Sequence, residues 1–383
     1  MSEQANAETD SVHTARGPEV ASRVGIALGT ALLICFVTGL ISHGIQHPPS
    51  WFWWPANPVW LYRVTQGTHV ISGVTAIPLL LVKLWAVYPR LFERPLLGSP
   101  MRALERGSIA VLVGSTIFEL STGLLNIAQY YPWKFFFPTA HYAMAYAALG
   151  ALAVHLAVKL PVIREALGRP VNSNAGLADA DIMATRHVSR RAILTAAGVS
   201  AAAAALAVAG QTVPFLRWAA VLAPRSGHGP QGVPVNRSAA AAGVGDRARD
   251  PGYLLTVAVG ERRRQFSRDE LLALPQARAR LPIACVEGWS ASADWSGVRL
   301  RDLLAVVESY SGGDVRFESL EGGGIYRNSV LPQRHVVDDR TLIALSVNGE
   351  TLDLDHGYPC RLIAPNRPGV LQTKWLSTIE VVT

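Results

Sequence analysis

Five apolar stretches precede Arg217 in this chain, each close to or above the roughly 20 residues that cross a bilayer. They run over Val24–Ser42, Leu61–Val87, Ile109–Gln129, Thr139–Leu160 and Ala192–Phe215. In lipid a backbone satisfies its own polar groups only as a helix or a closed barrel. Segments of this length and composition therefore predict five transmembrane helices. Half of the 383 residues are hydrophobic and mean hydropathy is +0.23, too apolar for an ordinary soluble protein.

Net charge is +7. The basic residues gather in one set of loops, at Arg16, Arg23, Arg90, Arg94, Arg102, Arg106, Arg164, Arg169, Arg186, Arg190 and Arg191. The alternate short loops carry little beyond Arg63 and Lys134. Membrane topology explains this better than nucleic-acid binding, for which no partner is expected. The positive-inside rule places the N-terminus in the cytoplasm and everything after about Phe215 outside. The polar tail over residues 1–22 is expected to be disordered and cytoplasmic. The fifth span opens with Ser189-Arg-Arg-Ala-Ile-Leu194. This resembles a twin-arginine export signal, which moves cargo already folded around a cofactor. Two ordinary topology arginines are the alternative.

Ionisable groups in a span are costly and point to function. His69 and His141 lie just inside the outer ends of the second and fourth spans, at matching depth, as axial ligation of one haem iron requires. His43 and His47 sit near the outer end of the first span and are alternative ligands or caps. His155 follows His141 by fourteen residues. No histidine on the inner half of the first three spans partners it, so one haem b is expected. Glu119 lies mid-membrane and suits either proton or quinone chemistry or a buried hydrogen bond. Residues 23–170 resemble four-helix membrane b-type cytochromes, such as the anchor subunits of formate dehydrogenase and the haem partner of periplasmic methionine-sulfoxide reductase. Residues 171–216 form a linker and the fifth span.

A Gly-, Ala- and Pro-rich linker is expected over 217–249 and a compact α+β domain over 250–383. Leu254–Val259 alternates as a strand, and Ser267-Arg-Asp-Glu270 is a capping box before a short helix. Further strands are expected at Pro282–Val286, Arg316–Leu320, Thr341–Val347, Cys360–Ala364 and Trp375–Val382, with a helix at Leu300–Val307. Three cysteines, Cys35, Cys285 and Cys360, make neither a disulfide framework nor a zinc site by their spacing. Cys35 and Cys360 read as core packing. Cys285 lies between an apolar strand and a Gly-Trp-Ser turn, a place suited to a metal.

The segments Cys285-Val-Glu-Gly-Trp-Ser, Trp295-Ser-Gly-Val-Arg-Leu-Arg-Asp-Leu-Leu304, His356-Gly-Tyr-Pro-Cys-Arg-Leu-Ile-Ala-Pro365 and Lys374-Trp-Leu-Ser-Thr-Ile-Glu380 resemble the molybdenum domain of the sulfite-oxidase superfamily. The resemblance covers about Asn236 to Thr383, nearest the methionine-sulfoxide-reductase branch. It implies a sulfite-oxidase-type molybdopterin domain behind an α-helical membrane bundle. It implies Cys285 as thiolate ligand of molybdenum, since a soft sulfur ligand complements the pterin dithiolene. Arg361 and Lys374 would meet the pterin phosphate. Asn236, Ser319, His356, Gln372 and Thr373 would hold the rest of the molybdopterin, with Glu287 and Trp289 behind the metal. Arg327 and Arg334 are candidates for a substrate anion site.

The expected activity is oxygen-atom transfer outside the cytoplasm, as a sulfoxide-type reductase supplied from the quinone/quinol pool or another electron carrier through haem. A sulfite-type oxidase is the alternative reaction direction. A cofactor-free membrane scaffold is the alternative of a different class.

Overall fold

A computed structural model describes residues 16–91, 99–171, 189–223 and 229–382. The tail over 1–15, Arg94 and Arg186 lie outside the described residues. Among the described residues, five helices are long and apolar enough to cross a membrane: α1 (Pro18–Gln46), α2 (Leu61–Leu91), α3 (Pro100–Ile127), α4 (Phe137–Gly168) and α5 (Arg190–Ala209). They are generally longer than the apolar stretches, because helix geometry continues into polar flanks until a cap or a turn stops it. Ser99 caps α3, accepting the Arg102 N–H, with Pro100 in the first turn where its missing N–H costs nothing. Within the spans, Thr38, Ser115 and Thr122 return their hydroxyls to the carbonyls of Ile34, Val111 and Phe118 at 2.7 Å. These three hydroxyls are thereby satisfied within their own helices.

The chain divides into two compact units, one of residues 1–39 and 68–209, the other of residues 40–67 and 210–383. In the first, Val20, Val24 and Leu28 of α1 pack with Ala76, Leu79 and Leu80 of α2 and Ala197 and Ala201 of α5. The small alanines let helices approach closely. Arg190, the first arginine of the twin pair, makes an ion pair with the buried Glu19 at 3.2 Å.

The second unit holds two sheets. One has strand order β2 (Arg262–Phe266), β1 (Leu255–Val259), β10 (Leu376–Val382), β5 (Asp314–Ser319) and β6 (Asn328–Leu331). In it β1 and β10 are parallel and the other pairs antiparallel. The other sheet runs β3 (Gln276–Ala284), β4 (Ser290–Arg299), β7 (Leu342–Val347) and β8 (Glu350–Thr351), with β9 (Arg361–Ile363) also on β7. Alternation sends Leu255, Val257 and Val259 into one core with Phe266, Phe317 and Ile379. That core also takes Val298, Ile343 and Leu362 from the second sheet, and Leu300, Leu303 and Leu304 from the helix α9 (Leu300–Val307). The opposite face of the second sheet buries Ala279, Leu281, Ile283 and Trp295.

The capping box forms at α8 (Arg268–Ala273): Ser267 accepts the Glu270 N–H at 3.2 Å and Glu270 accepts the Ser267 N–H at 2.8 Å. The stretch read as linker differs from expectation. Its end folds into α6 (Ala239–Ala242) and α7 (Gly245–Arg249), whose Ala239, Ala242 and Ala248 pack with Trp375. Its alanines, which look like spacer in sequence, are the small residues that fit beneath a buried indole. The strand β4 was also not anticipated, since its Ser, Ala, Asp and Gly carry little β propensity. Its pairing with β3 over nine positions and with β7 decides it.

Candidate active site

Along β3, every second side chain faces one core: Ala279, Leu281, Ile283 and then Cys285. The last pair of the β3–β4 hairpin is Ala284 with Ser290, so residues 285–289 form its connection. The Cys285 N–H donates to Trp289 O at 2.9 Å, and the Gly288 N–H to Cys285 O at 3.0 Å. Gly288 stands at φ +96°, a conformation that favours glycine. Trp289 donates its indole N–H to Glu287 at 3.0 Å. The thiol of Cys285, 1% exposed, is thus fixed at the end of a rigid strand by a short turn.

The other expected cofactor residues converge. Lys374 donates to Asn236 Oδ1 at 3.1 Å, to Asp355 O at 3.0 Å and to Arg237 O. Arg361 donates to His356 O and Gln372 O, both at 3.1 Å, and its guanidinium lies over the Trp295 ring at 5.2 Å. Ser319 donates to Lys374 O at 2.9 Å, and Thr373 shares a 2.6 Å hydrogen bond with Ser329. His356 Nε2 lies 2.7 Å from Pro230 O. Gly357, at φ +105°, is closely hemmed in: a Cβ would stand 3.0 Å from Lys374 Cβ and 3.1 Å from Arg361 Cβ. Burial lowers Arg361 to about 9; burial, followed by the neighbouring Arg361, lowers Lys374 to about 7. These two crowded cations, with no ion pair to a carboxylate among the described residues, suit an anionic group such as a pterin phosphate.

Among the described residues no group of three or more His, Cys, Asp or Glu could hold a metal. A metal that brings ligands of its own, as a dithiolene-bound metal does, needs no such cluster around Cys285. The residues fit that group.

Sequence reasoning missed several participants. The Tyr326 hydroxyl is pushed up by burial and then by Cys285 and Glu287, which puts it within electrostatic reach of both. Arg367 is 6% exposed and donates to Val330 O at 2.9 Å, while its Nε has no partner. Pro368 bridges to Ala284, so this loop lines the Cys285 turn. Arg334, one of the two substrate-anion candidates, instead donates to Trp54 O at 3.0 Å and lies over Trp53 at 5.5 Å. Arg327 ends a single 3-10 turn, Ile325–Arg327. Cys360 is fully buried in the core, with its Sγ 3.2 Å from the Tyr253 hydroxyl.

In the other unit, the His69 and His141 rings stand 6.3 Å apart between centroids. His69 Nδ1 donates to Cys35 O at 2.8 Å, and His141 Nδ1 lies 3.1 Å from Glu119 Oε2. Cys35, read as a plain hydrophobe, thus also touches His69, Sγ to Nδ1 at 3.5 Å. The rings of His43 and His47, which belong to the unit of residues 40–67 and 210–383, lie 4.9 Å apart.

Residues 244–383 match the family described as oxidoreductase molybdopterin binding domain. The chain is 34% identical over 113 residues to sulfite oxidase of Arabidopsis thaliana, covering 25% of this chain and 29% of that protein. It is 31% identical over 116 residues to the putative protein-methionine-sulfoxide reductase subunit YedZ1 of Azospira oryzae, covering 30% and 43%. It is 41% identical over 99 residues to nitrate reductase of Spinacia oleracea, covering 23% and 11%. The chain thus spans less than half the length of each of these relatives. Its C-terminal part is thus a molybdopterin-binding oxidoreductase domain homologous to sulfite oxidase and nitrate reductase, in a chain with five helices long and apolar enough to cross a membrane.

Proposed function

We propose that this chain is a membrane-bound molybdenum oxidoreductase that transfers an oxygen atom outside the cytoplasm, as a sulfoxide-type reductase drawing electrons from quinol through one haem b. The observation that carries the reading is Cys285, a buried thiol at the end of β3, in the same unit as a cradle of buried cations and backbone donors. When bound, molybdopterin supplies a metal that exchanges an oxygen atom for two electrons. The protein's part is to hold and orient. Cys285 is the thiolate ligand. Arg361 and Lys374 meet the phosphate. Asn236, Ser319, His356, Gln372 and Thr373 hold the pterin and the loops around it. Reducing a sulfoxide to a sulfide also consumes two protons and releases water. Tyr326 and Glu287 are the groups near Cys285 suited to hold one of those protons.

The haem reading is supported by His69 and His141. Two imidazoles bonded at about 2 Å to one metal put their centroids roughly 6 Å apart. Both Nδ1 atoms are already engaged, which leaves each Nε2 for iron, the usual arrangement of ligating histidines. Gly39 leaves space at the His69 ring, where a Cβ would stand 3.1 Å from His69 Cε1. The basic loops support a cytoplasmic N-terminus and an outside C-terminal domain.

One observation favours the second reading, a sulfite-type oxidase. Arg367, buried beside the Cys285 turn with a vacant Nε donor, suits an anionic substrate better than a neutral sulfoxide. Purified full-length protein, analysed for molybdenum and pterin and assayed both with a reduced dye plus sulfoxides and with sulfite plus an electron acceptor, decides between them. Protein lacking both molybdenum and pterin would sink both readings and leave the scaffold.

A further inference from the structure

The segment joining α1 to α2 belongs by contact to the same unit as the molybdopterin domain, although more than 140 residues separate them in sequence. Several of its contacts fall on the two loops beside Cys285. On the first loop, Gln66 donates its side-chain N–H to Val286 O at 3.1 Å, on the residue next to the thiol. On the second, Asn366 is gripped three times. It accepts the Tyr62 N–H on Oδ1 at 2.6 Å and the Trp54 indole N–H on its carbonyl at 2.9 Å, and donates to Pro55 O at 2.6 Å. Asn366 stands at φ +54°, and Pro368, two residues on, bridges to Ala284. Ile45, Trp54 and Tyr62 bury an apolar cluster with Ala284 and Leu371. The far side of the Cys285 turn is tied as well. Ser290 donates both N–H and hydroxyl to Gln211 O, at 3.1 and 3.0 Å.

We propose that the segment Trp54–Gln66 is a built-in wall of the metal site and that Gln66 is a positioning residue for Cys285. The inference rests on Cys285 as the molybdenum ligand. The backbone hydrogen bonds Cys285 N–H to Trp289 O and Gly288 N–H to Cys285 O shape the turn from within, and the donor on Val286 O adds a restraint from another element on the peptide plane next to Cys285 and, through it, on the direction of the thiol. The arrangement also means that the site is complete only when the outer end of α2 is folded against it. An excised C-terminal domain would lack one wall.

The test uses the full chain with Gln66→Ala and with Gln66→Glu, which keeps the shape but loses the N–H donor. Metal-free protein is treated with a small alkylating reagent, and labelled cysteines are followed by mass spectrometry. The expected result is that Cys285 labels about 5- to 10-fold faster in both variants, the weight of one lost hydrogen bond, while Cys360 keeps its rate. Metal-loaded variants should retain molybdenum but show an altered Mo(V) paramagnetic resonance spectrum, with kcat lowered about 10-fold or more and KM little changed. Arg263→Ala, at an exposed contact to Glu380 outside this segment, should change neither rate nor spectrum. Unchanged Cys285 labelling in both Gln66 variants, or Cys285 and Cys360 accelerating together, overturns the proposal. A wild-type protein without molybdenum would refute the metal reading instead, and the labelling would still decide the wall.

Discussion

The Lys374 ammonium lies 3.1 Å from the side-chain oxygen of Asn236, a residue 138 positions earlier in the chain. With Asp355 O and Arg237 O it completes three acceptors around one buried cation. That cation sits at a proton-release point near 7 instead of its ordinary 10.5 because burial, and then Arg361, disfavour the charge. Between about pH 7 and 10.5 the unfolded chain holds a proton there that the folded chain does not, so stability rises with pH through that window. The cofactor-free protein should gain about 1–2 kcal/mol between pH 7 and 8.5, and Lys374→Met should flatten the gain. Thermal unfolding in detergent across that range is the measurement; a falling curve in the wild type would contradict the linkage.

Cys285→Ser should yield a folded protein whose helical content matches wild type. A hydroxyl is a poor substitute for a soft thiolate. Turnover with a reducible sulfoxide should fall by more than the about 10- to 100-fold typical of residues that only support a ligand. Full turnover in this variant would remove Cys285 from the metal.

Gly357→Ala places a Cβ against Lys374 and Arg361 in a backbone conformation that L side chains rarely adopt. The strain should cost roughly 1–3 kcal/mol. Because Lys374 and Arg361 belong to the proposed cofactor cradle, pterin content per chain should fall along with the unfolding temperature. A variant with normal pterin content would show that the cradle tolerates the shift.

His69→Ala and His141→Ala should each abolish the low-spin haem b spectrum, whereas His155→Ala should retain most of it, with a haem-to-protein ratio near one in the wild type. Glu119→Gln tests the acceptor on His141. It should keep the haem but raise its midpoint potential, because a carboxylate on the ligand's N–H favours the oxidised iron. Redox titration reads this directly, and a ratio near two would point to a second haem on His155.

A reporter active only outside the cytoplasm should work when fused after the last strand. Replacing Arg190 and Arg191 by Lys should retain the domain inside if the pair is an export signal. If export persists, Arg190 is left with its ion pair to Glu19, a structural role.

The sequence by itself was enough to determine the five apolar helices, the period-two strand at Leu255–Val259 and the Ser267 capping box. Each of these is a local property: hydrophobic length, alternation, or a side chain meeting a backbone group a few residues away. The tertiary structure decided what depends on distant pairing. It made a strand of the weakly β-forming Ser290–Arg299, because β3 and β7 flank it. It turned the alanines of the supposed linker into packing for Trp375. It brought Asn236 to Lys374 and stacked Arg361 on Trp295. It set Gln66 on Val286 and the Trp54–Tyr62 segment on Asn366, contacts between residues more than 200 positions apart that no local pattern marks. Hydrogen bonding and burial act through space, so a site assembled from both ends of a chain becomes visible only once the chain has folded.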